Sequence, residues 1–162
     1  MRKALATFIL GGLVLMMTMP TGAQEETPWF DMVNCEFCKH LMDDPALLDH
    51  TVWEHHNISN GIINVTTVDP EFMTSYHNCT KAMQDVEARM AKGEKVKMCG
   101  MCQAMGELFM AGAKAEHVPT ERGHVMLITS DNPEMVTKIQ AWGKRNQDEM
   151  EKMPPLPVQT KE

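Results

Sequence analysis

The sequence predicts an α+β fold in which two helix-hairpin-helix (αββα) units pack as one domain with four antiparallel strands. Three observations lead to this prediction. A C-x-x-C motif occurs twice, a strand-like run that restarts at a glycine follows each motif, and an Asx-Pro-Glu segment follows each run. The repeats cover about residues 35–92 and 99–150. Because one unit alone could not bury its sheet, the two are expected to share a core.

Each repeat contains a predicted β-hairpin. Gly61 and Gly123 follow short polar loops and restart the chain in an extended conformation. The runs that follow, 62–67 and 124–129, are rich in β-branched residues and end at turn residues, which is typical of strands. The equal spacing in the two repeats favours a duplication.

A predicted helix closes each repeat. Residues 69–71 (Asp-Pro-Glu) and 132–134 (Asn-Pro-Glu) each combine a capping side chain, a proline at the first helical position and an acidic residue near the positive helix end. Apolar residues then recur at intervals of three and four, which indicates one buried stripe on each helix.

Methionine takes the place of leucine as the main core residue, since the chain has 17 Met. We expect the strands and helices to bury the following side chains: Trp53, Ile63, Val65, Tyr76, Met83, Val125, Leu127, Ile139 and Trp142.

The N-terminus has the layout of a secretory signal. Arg2 and Lys3 precede an uncharged apolar run and a stretch of small residues, which predicts a signal peptide over 1–23. The run is too short for a stable membrane span, so we expect no membrane association after cleavage and a periplasmic or secreted protein.

The rest of the chain is predicted to be one acidic domain over 24–153, followed by a disordered Pro-rich tail over 154–162. The formal net charge is −7, and it becomes −9 when Arg2 and Lys3 leave with the signal. This acidity argues against nucleic acid as a partner, because phosphate binding needs a basic surface.

The two C-x-x-C motifs are the candidate functional site. Thiolates are soft metal ligands, and a helix N-terminus beside each motif would favour the thiolate form. The predicted metal ligands are Cys35, Cys38, Cys99, Cys102, His40 and Met101. Two thioethers among residues 98–102 put Cu(I) ahead of Zn(II), although they are equally explained as packing residues.

Two alternatives use the same cysteines. The protein could be a thiol-disulfide oxidoreductase, but that chemistry usually places its C-x-x-C after a buried strand, which is missing here. It could also be a binding module stapled by disulfides and holding no metal, since exported proteins retain disulfides. No nucleophile elbow, phosphate loop or zinc-protease helix is present, so the sequence favours a protein that is not an enzyme.

The segment Cys99-Gly100-Met101 and the hairpin and helix start from Asn60 to Phe72 resemble the NosL-type copper accessory proteins of nitrous oxide reductase. The resemblance implies export, two related halves, copper handling and a metalloprotein recipient. The chain departs from that family by lacking a lipid-anchor cysteine and by carrying a second C-x-x-C.

Overall fold

A computed structural model describes residues 27–153, and the predicted signal peptide and Pro-rich tail lie outside this range. The described chain has a mixed α+β fold, with a four-stranded antiparallel sheet and four α-helices. The strands are β1 (Thr51–Ile58), β2 (Gly61–Val68), β3 (Lys114–Thr120) and β4 (Gly123–Thr129). The helices are α1 (Ala46–Asp49), α2 (Met73–Ala91), α3 (Gly100–Met110) and α4 (Pro133–Met150), and 3₁₀ turns cover Cys38–Met42 and Pro70–Phe72.

The sheet has the order β1-β2-β4-β3, so two hairpins meet through their second strands. Both predicted second strands are confirmed, and Ile62 lies opposite Ile128 at the centre of the sheet. The Asn132 side chain caps α4 by accepting a hydrogen bond from the Glu134 N–H at 2.9 Å, as the sequence predicts. That the two halves are copies of one unit stays a prediction.

The glycines that open β2 and β4 allow these strands to approach each other closely. A Cβ on Gly61 would lie 1.9 Å from the backbone oxygen of Ile128, and one on Gly123 would lie 2.1 Å from that of Thr66. Each overlap is with backbone of the neighbouring strand, which cannot move aside as a flexible side chain can.

We therefore expect Gly61→Ala to lower the free energy of unfolding by about 3 kcal/mol or more, since the central strand pair must separate. Chemical denaturation monitored by circular dichroism measures the change. Gly106→Ala, in α3, is the matched control because a Cβ there meets no atom within 4 Å. It should leave stability unchanged or raise it by up to about 1 kcal/mol. Equal stabilities of the two variants would contradict the close-approach argument.

The helices pack on one face of the sheet, which we call the inner face. Ile62 and Ile128 meet Ile139 and Trp142 of α4 in the main core cluster. A second cluster joins α1, β2 and α2. The predicted burial of Tyr76, Ile139 and Trp142 is confirmed.

For strands β2 and β4, the residues predicted to be buried lie one position away from the residues that are buried. Ile63, Val65, Val125 and Leu127 are only half-buried, because they point to the opposite, outer face of the sheet. The inner face of β2 carries polar as well as apolar side chains, so the alternation of hydrophobicity does not identify it. Two further residues predicted to be buried are half-buried: Trp53 and Met83.

Among the described residues, no helix combines the length and the apolar character needed to cross a membrane.

Candidate metal centre

The two C-x-x-C motifs come together in one buried cluster. The sulfur of Cys35 lies 3.6 Å from that of Cys102, and the sulfur of Cys38 lies 3.6 Å from Cys99 and 3.7 Å from Cys102. All four sulfurs lie within 4.8 Å of one another. The side chains are between 0% and 5% exposed. The cluster thus joins residues more than sixty positions apart in a nearly buried site, and two of its cysteines, Cys38 and Cys102, line an apolar cavity.

Local backbone structure positions both motifs. Cys99 is the N-cap residue of α3, and Cys102 lies in the first turn of this helix. Cys38 begins the 3₁₀ turn after the first motif. The Glu36 N–H donates to the Lys97 carbonyl at 2.9 Å, which ties the two segments together directly.

Ion pairs fix the first motif to α2. The Glu36 carboxylate accepts hydrogen bonds from Lys39 at 2.9 Å and from Arg89 at 3.0 Å. Arg89 in turn pairs with Glu94. The pKa of Glu36 is lowered by these contacts, chiefly by Lys39, so the carboxylate stays charged and the fixation persists at neutral pH.

The segment before the first motif covers the start of α3. Gly100 and Met101 donate their backbone N–H groups to the carbonyls of Pro28 and Trp29, at 2.9 and 3.0 Å. A Cβ on Gly100 would lie 3.1 Å from the Trp29 ring, so glycine fits this close contact. No sequence motif indicates this role for Trp29.

Contacts among the sulfurs make the largest contribution to the pKa values of the four thiols. The backbone N–H groups of Gly100 and Met101 have carbonyl partners, whereas the Cys102 backbone N–H hydrogen bonds to Cys99 and helps to lower its pKa, which is the effect expected at a helix N-terminus. The contact with Cys102 holds the pKa of Cys35 well below its usual range and lowers that of Cys99 to about 6.

The other two thiols keep their protons. Contacts with the neighbouring sulfurs, chiefly Cys102, raise the pKa of Cys38, and those with Cys35 raise the pKa of Cys102. Close thiols cannot all ionise together, because each new thiolate repels the others. These contacts therefore favour the thiolate form of Cys35 and Cys99 and the thiol form of Cys38 and Cys102.

The spacing of the sulfurs suits one tetrahedral ion. A Zn–S distance of about 2.3 Å gives sulfurs about 3.8 Å apart at the corners of a tetrahedron. Three sulfur pairs, at 3.6 to 3.7 Å, are close to this value. Four cysteines in this arrangement are typical of a structural zinc site.

The structure places the other predicted ligands outside this group of four sulfurs. The Nδ1 atom of His40 lies 2.9 Å from the Asp43 carboxylate. Met101 is half-buried and packs against the cysteine cluster, as does Met98. The methionines thus surround the cluster, whereas His40 forms a separate pair.

Cys79 is the fifth cysteine and lies apart from the cluster. It packs with Leu47, Val68 and Tyr76, and only 4% of it is exposed. Burial raises its pKa to about 11, so it stays a thiol at neutral pH. This agrees with the interpretation of Cys79 as an inert core residue.

All five cysteines are free thiols in the structure, and no sulfur pair is at disulfide distance. The disulfide-stapled alternative would need sulfurs about 2 Å apart. Three sulfur contacts, at 3.6 to 3.7 Å, link the two motifs.

Metal affinity should depend steeply on pH. Binding must displace the protons of Cys38 and Cys102, so we expect Zn(II) affinity to rise about 100-fold per pH unit between about pH 6.5 and 8. Competition with a chromophoric chelator, corrected for the chelator's own protonation, measures this slope. An affinity independent of pH would mean that the thiols are not the ligands.

No protein-family model, curated protein or solved structure matches the chain.

Proposed function

We propose that this protein binds one soft metal ion through the thiolates of Cys35, Cys38, Cys99 and Cys102. The observation that carries the proposal is the convergence of four buried sulfurs within 4.8 Å of one another. Four thiols placed so close together in a protein interior repel each other once ionised, and a bound cation removes that cost.

Burial favours metal binding over thiol-disulfide exchange. An exchange enzyme needs an accessible thiolate that can attack a partner's disulfide. The most exposed of the four cysteines, Cys102, is only 5% exposed. Phe37, Met32, Met98 and Met101 pack against the cluster, and Cys38 and Cys102 line an apolar cavity together with them. A partner's disulfide therefore meets no exposed thiolate on the protein surface.

Zinc is the first candidate, because four thiolates match the coordination number that Zn(II) takes in closed sites. Cu(I) is the second candidate. It is favoured by the packing of Met98 and Met101 against the cluster, since thioethers are soft ligands that add little to zinc affinity. Copper handling, with delivery to a metalloprotein, is also what the resemblance to NosL-type proteins implies.

Export is part of the proposal and is supported by the signal-like N-terminus. In an oxidising compartment, neighbouring thiols are prone to disulfide formation. A bound ion would keep the cysteines as thiolates there. We also infer that the two halves arose by duplication, since each contributes one C-x-x-C and one hairpin.

Native mass spectrometry of protein purified from its own compartment, with thiol counting after denaturation, tests the proposal. The expected result is one metal ion per chain and five free thiols. Metal-free protein with two disulfides would overturn it.

The double variant M98L/M101L separates the two metals, because this change nearly conserves volume and removes only the thioethers. A clear loss of Cu(I) affinity with unchanged Zn(II) affinity would favour copper. Unchanged affinity for both would leave the four cysteines as the whole site and favour zinc.

A further inference from the structure

An apolar cavity of about 520 Å³ lies between the helices and the inner face of the sheet. Methionine is the commonest residue in its wall, and Trp53 and Trp142 contribute aromatic surface. Glu87 and Met153, which are exposed, mark its rim. Small-molecule sites in proteins have volumes of about 300–1,000 Å³ and walls of this composition, with a few polar groups that orient the ligand.

Two polar residues of the sheet, His55 and Asn64, belong to this wall and lie directly opposite each other on β1 and β2. Neighbouring hydrogen bonds determine which atoms of these two side chains donate and which accept. Asn146 accepts a hydrogen bond from the Trp29 indole on its Oδ1 at 2.9 Å, so its amide nitrogen faces His55 Nε2 at 3.4 Å. The amide nitrogen of Asn64 lies at the same distance from Nε2.

His55 Nε2 therefore accepts hydrogen bonds, and the proton of the neutral ring lies on Nδ1. Burial lowers the pKa of His55, which keeps the ring neutral at pH 7. The pair then offers one N–H donor, on His55, and one carbonyl acceptor, on Asn64.

Neither of these atoms has a partner. His55 Nδ1 and Asn64 Oδ1 are both buried without a hydrogen bond in the described part of the chain. Unpaired buried polar groups are costly and usually mark a missing water, ion or ligand. The two hydrogen bonds to Nε2, at 3.4 Å, are long and therefore weak, so they hold the two side chains only loosely beside the cavity that both line.

We propose that the cavity binds a small, uncharged, largely apolar molecule whose single hydroxyl or amide group pairs with His55 Nδ1–H and Asn64 Oδ1. Such a group both accepts and donates a hydrogen bond. A carboxylate would face the Asn64 oxygen without a proton, and an ammonium group would face the His55 N–H. The apolar part of the molecule would lie against the methionines and tryptophans.

The probes are 1-decanol, its methyl ether 1-methoxydecane and decanoate, which share an apolar chain and differ in the polar group. Binding to the full chain is followed by tryptophan fluorescence, since Trp53 and Trp142 line the cavity. We expect 1-decanol to bind at least about tenfold more tightly than either other probe. Equal affinities, or no binding of 1-decanol up to its solubility, would overturn the proposal.

Two variants locate the site. Asn64→Leu should bring the alcohol and the ether to within about twofold of each other, because it removes the acceptor while keeping the side chain's size. Met83→Trp should weaken all binding by filling the cavity. Retention of the alcohol preference in folded N64L, or wild-type affinities in folded M83W, would contradict the assignment. If a variant does not fold, the comparison of the probes on the unaltered protein decides alone.

Discussion

Replacing Cys38 by serine should lower the affinity for Zn(II) by about 100- to 1,000-fold. Four-thiolate zinc sites supply about 10–16 kcal/mol, so one ligand accounts for several kcal/mol. Cys38 is a strict test, because its sulfur, like that of Cys102, lies within 3.7 Å of two cysteines of the other motif. Competition titrations with a chelator of known affinity measure the loss.

Cys79→Ser is the matched control for this variant. Cys79 is also a buried free thiol, yet it packs in a separate cluster. The control should keep one ion per chain with wild-type affinity and should lose about 1–3 kcal/mol of stability from the buried hydroxyl. If both variants bind zinc equally well, the cluster is not the metal site.

Removal of the metal should lower the melting temperature by about 15 °C. Ligand in 1,000-fold excess over its Kd adds about 4 kcal/mol, and each kcal/mol corresponds to about 4 °C in a domain of this size. Little regular structure holds the segment around the first motif, which has only a 3₁₀ turn and the four-residue helix α1. Thermal unfolding with and without a strong chelator measures the change.

Metal removal should increase backbone exchange only near the cysteine cluster. Hydrogen exchange after chelation should rise in residues 28–42 and 97–103, whose backbones are joined through Glu36 and Lys97, while strands β2 and β4 stay protected. Uniform exchange across the chain would mean that the metal stabilises the whole fold. Unchanged exchange and melting temperature would mean that the cluster needs no metal.

The sequence predicted the elements well because its local signals are strong. The glycine that opens each second strand and the Asn-Pro-Glu start of α4 mark boundaries by backbone chemistry alone. The Asp-Pro-Glu segment opens a 3₁₀ turn without the expected side-chain cap from Asp69, and α2 begins only at Met73. The four strands, the antiparallel pairing and the start of α3 at the second motif agree with those signals. Local chemistry of this kind does not depend on tertiary contacts.

The sequence does not predict in the same way which face of each strand is buried. Strand β2 alternates between Ile63 and Val65 on one face and Asn64 and Thr66 on the other, and the polar pair faces inward. A hydrophobicity rule selects the wrong face here. Both polar side chains line the apolar cavity, so hydrophobicity alone does not identify them as buried.

The candidate metal ligands show the same difference between local signals, which the sequence contains, and tertiary contacts, which it does not. Both C-x-x-C motifs were recognisable, but their convergence depends on the distance between the halves, which no spacing in the sequence encodes. His40 was an attractive ligand because it lies two residues after Cys38, yet in the 3₁₀ turn its ring lies beside Asp43. Trp29 belongs to no recognisable sequence motif, and its contact with Gly100 is seen only in the structure.

X-ray absorption spectroscopy at the zinc edge tests the central claim most directly. The protein is loaded with one equivalent of Zn(II) under reducing conditions. The proposed site predicts four sulfur neighbours at about 2.3 Å and no nitrogen or oxygen in the first shell. A shell with two or fewer sulfurs, or one completed by imidazole nitrogen, would contradict the four-cysteine site.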